Sequence, residues 1–184
     1  LKDLQSAGNA GEFYTPRAVT QFIVEQTNPR LGETIFDPAC GTGGFLTCAI
    51  DHLRDQAKTD KDMATLQSCF SGIEKKHLPH VLCMTNLMRH GIDVPSNVRH
   101  DNTLARPLTD WKPKEYVDVI VTNPPFGGME EDGIEANFPS EFRTRETADL
   151  FLVLIMRVLK PGGRAGLVLP DGTLFGEGVK TRIK

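Results

Sequence analysis

Asn123-Pro124-Pro125-Phe126 places a side-chain amide, two imide linkages and an aromatic ring in one short run. Proline lacks a backbone N–H and fixes φ, so this turn is stiff and its carbonyl oxygens are left to accept. The Asn123 side-chain oxygen is a further acceptor. Such a group suits an aromatic amine, a poor nucleophile because its lone pair is delocalised into the ring. Holding both amino protons favours a pyramidal nitrogen with its lone pair aimed at an electrophile, and alignment then does most of the work. Phe126 offers a face for stacking a base, and a duplex base must be extruded before such chemistry. The plainer reading is a Pro-rich turn capping a strand, with Phe126 in the core. Transfer to an amino nitrogen needs no covalent nucleophile, and Cys40 reads as a small buried thiol.

Three carboxylates fall at successive predicted strand ends. Asp37 opens Asp37-Pro38-Ala39-Cys40-Gly41-Thr42-Gly43-Gly44, at the carboxyl end of a strand, where open parallel sheets bind ligands. The glycines do not fit the Gly-x-Gly-x-x-Gly dinucleotide fingerprint, and Asp37 would oppose a pyrophosphate. A cationic ligand fits better, and the ammonium and sulfonium of S-adenosylmethionine supply that charge. Glu74 ends the next strand, from where a carboxylate accepts both ribose hydroxyls of an adenosine. Ile73 beside it is placed to pack on the adenine, and Asp101, with Asn102, to accept its amino group. Singly, each acid is also an ordinary turn residue.

The elements that must position these residues alternate between apolar runs and longer amphipathic stretches, the pattern of an α/β, doubly wound and mostly parallel sheet. The spacing predicts a helix over Thr15–Asn28 with Thr15 as N-cap and Pro16 in its first turn. Further helices are expected near Gly44–Gln56, Lys76–His90 and Thr147–Lys160. Strands are expected at Glu33–Asp37, Cys69–Glu74, Asn97–His100, Val117–Thr122 and Arg164–Leu169. Val117–Thr122 is β-branched and apolar on both faces, as in a covered central strand. Between Gly127 and Arg145 no period is visible, and a loop that long is more often functional than idle. Its Glu130, Glu131 and Asp132 read as part of a mobile flap, while Arg143 and Arg145 read either as phosphate contacts or as a solvated charged stretch. Trp111 reads as a packing residue.

At 184 residues and 39% hydrophobic content, the chain suits one core and is too short for two. One domain is expected over 1–184, with 1–30 an upstream segment and helix and 31–184 the sheet core. The formal net charge of -3 lacks the basic surplus of a duplex binder that works alone. Grip on DNA would then come from a local patch, from further chain or from a partner. Cys40, Cys48, Cys69 and Cys83 have no paired zinc spacing and read as reduced, buried thiols. His77 and His80 stand three apart without an evident third ligand, so no metal site is expected. No apolar run approaches the roughly 18 residues of a membrane span, which points to a cytoplasmic protein. Leu1 in place of Met, and a helical stretch from Glu177 that stops at Lys184, suggest a piece of a longer chain.

Together these residues resemble the amino-methyltransferases, specifically the modification subunits of bacterial type I restriction-modification systems. Gly11-Glu12-Phe13-Tyr14-Thr15-Pro16 is similar to the family's upstream cofactor motif, placed before the Gly-rich motif as in gamma-order DNA adenine methyltransferases. Asp37–Gly44 with Phe45-Leu46 resembles the main cofactor loop, and Asn123–Phe126 the catalytic motif. Val168–Gly172 with Leu174-Phe175 resembles the stretch after the fifth strand. The resemblance implies a Rossmann-like S-adenosylmethionine-dependent fold, here stopping before its last strands, and methyl transfer to the exocyclic amino nitrogen of a flipped adenine. It implies cofactor contacts from Glu12, Phe13, Tyr14, Thr15, Pro16, Asp37, Gly41, Thr42, Gly43, Gly44, Phe45, Glu74, Asp101, Asn102 and Asn123. It also implies a preceding helical region, a specificity subunit shared by two modification subunits, a restriction subunit, and double-stranded DNA as substrate. Methylation of a protein glutamine amide or of ribosomal RNA uses a similar turn. Phe126 where glutamine enzymes usually carry Tyr, and the upstream segment, favour DNA. A relative that keeps the fold only as an assembly module is the alternative of another class.

Overall fold

The computed structural model describes residues 14–175 and 179–183. Its helices and strands are α1 (Arg17–Thr27), β1 (Ile35–Asp37), α2 (Gly44–Arg54), α3 (Asp60–Leu66), β2 (Phe70–Glu74), α4 (His77–Arg89), β3 (Val98–His100), β4 (Val117–Thr122), α5 (Thr147–Val158), β5 (Leu159–Leu167), α6 (Asp171–Phe175) and α7 (Val179–Ile183). The strands form one sheet in the order β3-β2-β1-β4-β5, and every pairing is parallel. From β1 the chain winds outward to β2 and β3, then returns to lay β4 on the other side of β1. That reversal is the switch point at which a doubly wound sheet opens a crevice outside its strand ends. Asp37 ends one flanking strand, and Asn123 follows the other.

The period of two along the central strands splits their side chains between two cores. Ile35, Val119 and Val121 face one side with Leu46, Ile50, Leu53 and Leu87 from α2 and α4. Phe36 and Ile120 face the other with Leu150 and Leu154 of α5 and with Trp111, which is buried as its composition suggests. Each large side chain so withdrawn from water contributes about 1.5–3 kcal/mol. These two cores fix the crevice between them.

Several expectations are corrected by the structure. Pro16, not Thr15, is the N-cap of α1. The fifth strand begins at Leu159, directly after α5, because Leu159 already pairs with Val117; Pro161-Gly162-Gly163 then bulges out before Arg164 pairs with Val119. Gly162 has φ +79 there, a conformation that glycine adopts without strain. The bulge therefore lies inside the strand and does not precede it. α3 was not expected, although Thr59 and Asp62 form a reciprocal capping box at its start, a pattern readable in sequence. The stretch from 127 to 146 carries local structure that its sequence does not announce: Met129 bridges Glu146, single 3-10 turns form at Ile134–Asn137 and Ser140–Phe142, and Phe138 is buried.

Candidate functional site

β1 ends at Asp37, whose carboxyl is 1% exposed. Its Oδ1 accepts from the Ala39 amide at 3.1 Å, while Oδ2 has no partner among the described residues. Burial pushes this carboxyl up to about 7, against the pull of the Thr122 hydroxyl, which lies near it without closing a hydrogen bond, and of the Ala39 amide, with the Glu74 charge adding to the rise. Thr122 Oγ1 and Asn123 Oδ1 likewise lack partners. Three orphaned polar atoms thus gather at the carboxyl ends of adjacent strands. Buried polar groups are nearly always paired, so a cluster that is not marks a place shaped for something else.

The Gly-rich turn is held from three sides. Cys40 N donates to Ile73 O at 3.0 Å, Asn86 Nδ2 of α4 donates to Thr42 O at 2.9 Å, and Thr103 Oγ1 donates to Pro38 O at 2.6 Å. Gly43 has φ +85, and a Cβ there would stand 2.8 Å from Cys83 Sγ. Gly41 is also left-handed, at φ +53. Its amide donates to Glu74 Oε2 at 2.8 Å, and the Lys76 amide donates to Oε1 at 2.7 Å. Glu74 is thereby oriented with lone pairs to spare. The Cys40 and Cys83 sulfurs are 3.9 Å apart; the Cys83 thiol and burial together push the Cys40 thiol far above its ordinary range. All four cysteines are free and buried, as expected.

Asn123 Nδ2 donates to Thr15 Oγ1 at 3.0 Å. This bond uses one of the amide's two N–H groups on Thr15 and leaves Oδ1 buried and without a partner among the described residues. Thr15 therefore serves the catalytic turn, a role its place in the upstream motif did not suggest. Pro124 beneath it is buried, Pro125 exposed, and Phe126 half-buried.

The other expected residues divide. Glu12 and Phe13 lie outside the described residues. Tyr14 is 64% exposed, and Pro16 caps α1. Phe45 and Ile73 are packed into the two cores. Asp101 is exposed and accepts from the Asn102 amide, whose own side chain accepts from the Leu104 amide. Arg145 pairs with Asp132 at 2.7 Å, and Arg143 donates to Phe138 O, so both serve their own loop. His100 lies with its ring 5.4 Å from those of His77 and His80, yet among the described residues no three His, Cys, Asp or Glu side chains are arranged to hold a metal. Among the described residues no helix is long and apolar enough to cross a membrane. Thr122, Thr103, Lys75 and Glu130 were missed, since nothing in their spacing marks them.

Known proteins share this arrangement. A type I restriction enzyme methylase subunit, EcoEI of Escherichia coli, is 69% identical over the whole chain, which spans 37% of that subunit. A modification subunit assigned to a type I restriction enzyme of Vibrio vulnificus YJ016 superposes with TM-score 0.91 at 49% identity, over 99% of this chain and 39% of that one. The M protein of the EcoKI type I restriction enzyme, whose methylase subunit comes from Escherichia coli K12, superposes with TM-score 0.80 at 29% identity, over 93% of this chain and 36% of that one. The chain thus spans little more than a third of the length of these relatives. The family model described as N-6 DNA Methylase matches residues 2–184, and the chain belongs to that family.

Proposed function

We propose that this chain is the S-adenosylmethionine-dependent catalytic core of a DNA adenine methyltransferase, the modification subunit of a type I restriction-modification complex. The observation that carries the reading is the convergence of orphaned Asp37 Oδ2, Thr122 Oγ1 and Asn123 Oδ1 at the switch point. A buried carboxyl at Asp37, whose ionised form a cation would favour, fits the methionine end of the cofactor, and Glu74 fits its ribose hydroxyls. When bound, the cofactor supplies an electrophilic methyl group. Asn123 Oδ1, held by Thr15, would accept a hydrogen bond from one N–H of the adenine amino group and the Pro124 carbonyl from the other, turning the nitrogen lone pair toward the methyl group. Phe126 stacks on the extruded base, an interaction worth about 1–3 kcal/mol. Membership of the N-6 DNA Methylase family supports adenine in DNA over a glutamine amide or ribosomal RNA. Likeness to methylase subunits of type I enzymes supports a specificity subunit, a restriction subunit and a second modification subunit as partners, and a place in the bacterial cytoplasm. With a net charge of -3 over these 184 residues, phosphate contacts would come from a local patch, from further chain or from those partners.

The test is Asn123→Ala in the assembled modification complex. Methyl transfer to DNA should fall by several orders of magnitude, while S-adenosylmethionine affinity, read by calorimetry beside an Asp37→Ala control, stays within a few-fold. Normal turnover by the Asn123 variant would refute the assignment.

A further inference from the structure

The segment that follows the Asn-Pro-Pro-Phe turn does not stay beside β4. Glu130 Oε2 meets Lys75 Nζ at 3.3 Å, and Glu131 Oε1 meets it at 3.0 Å. Lys75 directly follows β2, and β1 lies between β2 and β4. Neighbouring strands stand about 4.8 Å apart, so this pairing spans the end of β1, from which the Gly-rich turn departs. A second anchor lies further along the segment, where Asn137 Nδ2 donates to the Leu104 and Ala105 carbonyls at 3.0 Å each, beyond β3.

Glu130 is built in and not a chance surface partner. It is 9% exposed, its Oε1 accepts from Thr147 Oγ1 at 3.2 Å, and its backbone is fixed by Arg145 through both its amide and its carbonyl. Thr147 in turn donates to Gly128 O through its amide, and its single hydroxyl hydrogen is shared between Gly128 O and Glu130 Oε1. A continuous path of bonds therefore runs from Lys75 through Glu130 and Thr147 to Gly128, two residues past Phe126. At the other end, His100 Nε2 meets the Lys75 carbonyl at 3.1 Å, and Lys75 adjoins Glu74. Burial works against the Lys75 charge, but the facing Glu131 and Glu130 outweigh it and hold its pKa above the ordinary value.

We propose that Lys75 and Glu130 are positioning residues for the methyl transfer: their ion pair ties the segment after the catalytic turn to the end of β2 across the cofactor crevice, and so holds the walls of that crevice in register. This rests on the function proposed above. Neither residue touches the reacting atoms. The pair acts on cofactor retention and leaves the acceptors of Asn123 in place.

The experiment compares the complete modification complex with its Lys75→Met, Glu130→Gln, double and Lys75→Arg variants. S-adenosylmethionine affinity is read without DNA, and kcat and cofactor KM are read with it. Each single variant should raise Kd and KM for the cofactor about fivefold, the upper range for a half-exposed pair, with kcat within about twofold. The double variant should be no worse than either single one, and Lys75→Arg should retain most of the affinity. Lys75 is half-exposed, so its replacement tests the idea even if Glu130→Gln misfolds. A complex that binds cofactor with unchanged affinity in Lys75→Met, losses that add in the double variant, or a fall in kcat with KM unmoved would overturn this inference alone. A wild-type complex that binds no S-adenosylmethionine would overturn the proposed function, and this inference with it.

Discussion

Replacing Thr15 with Val tests the most local link between the upstream segment and the catalytic turn. The Thr15 hydroxyl accepts the Asn123 amide N–H at 3.0 Å, which dictates that Oδ1, orphaned and buried, is the atom presented to a substrate. A neutral hydrogen bond of this kind contributes about 1 kcal/mol net. Val keeps the shape of the side chain and removes the acceptor, so the transition state must hold the amide in place without that help. The barrier should rise by about the same amount, lowering kcat about fivefold. Thr15→Ser, which keeps the oxygen, should lose less than about twofold. The assay is single-turnover transfer of labelled methyl groups to DNA by the modification complex at saturating cofactor, with cofactor affinity measured separately. The reasoning is refuted if Thr15→Val turns over at the wild-type rate. It is equally refuted if its defect lies in cofactor affinity and disappears at saturation, because Thr15 would then be a cofactor contact, as its position in the upstream motif implies.

Gly43→Ala should destabilise the chain by about 1–3 kcal/mol in denaturant unfolding, from positive-φ strain and from contact with Cys83. Adding Cys83→Ala should recover part of that loss, since Cys83 Sγ is the one atom within 3 Å of the new Cβ; no coupling between the two changes would count against this packing. Asp37 makes a prediction about pH. An acid raised from 3.8 to about 7 on folding binds more protons folded than unfolded between those values. Stability therefore falls as pH rises through that window, and the loss, roughly 4 kcal/mol, persists above it. Asp37→Asn should flatten this slope relative to wild type in unfolding titrations. Because a cationic ligand prefers the ionised carboxylate, S-adenosylmethionine should bind wild type more tightly at pH 8 than at pH 6, and the Asn variant should lose both that trend and much of the affinity. A flat wild-type profile would show that the carboxyl is ionised throughout.

How much of this was legible follows from the range of each interaction. Val117–Thr122 is a strand on local grounds alone, since a β-branched run apolar on both faces has one stable place in such a fold. The Asn-Pro-Pro-Phe turn and the Asp37 and Glu74 strand ends were readable for the same reason. The Thr15–Asn123 bond joins residues 108 positions apart, and Thr15 carried a plausible local reading as a helix cap that hid its long-range one. Glu130 lies in a run of acids that composition assigns to solvent, yet one of the three is buried because Thr147 and Lys75 meet it there. In Leu159–Lys160 the helical period continues past the true end of α5. The partner that makes these residues a strand, Val117, is remote in sequence.

The alternative of an assembly module without catalysis is weakened by where the structure is badly satisfied. A buried carboxyl costing roughly 4 kcal/mol when ionised and two further orphaned polar atoms, each costing about 1–3 kcal/mol, are heavy burdens for a domain whose only task is to hold shape. An apolar residue at any of these places would be cheaper and would pack as well. Of the five such atoms among the described residues, three, on Asp37, Thr122 and Asn123, share the location where the strand order reverses, so their costs are offset together when a ligand with complementary charge and protons enters. Trp111 Nε1 and Asp149 Oδ1, each buried without a partner among the described residues, show what single imperfections of packing look like in the same molecule. Three at a single crevice, with one Asn123 N–H held by Thr15 and its Oδ1 left as an acceptor, favour a site completed by a substrate.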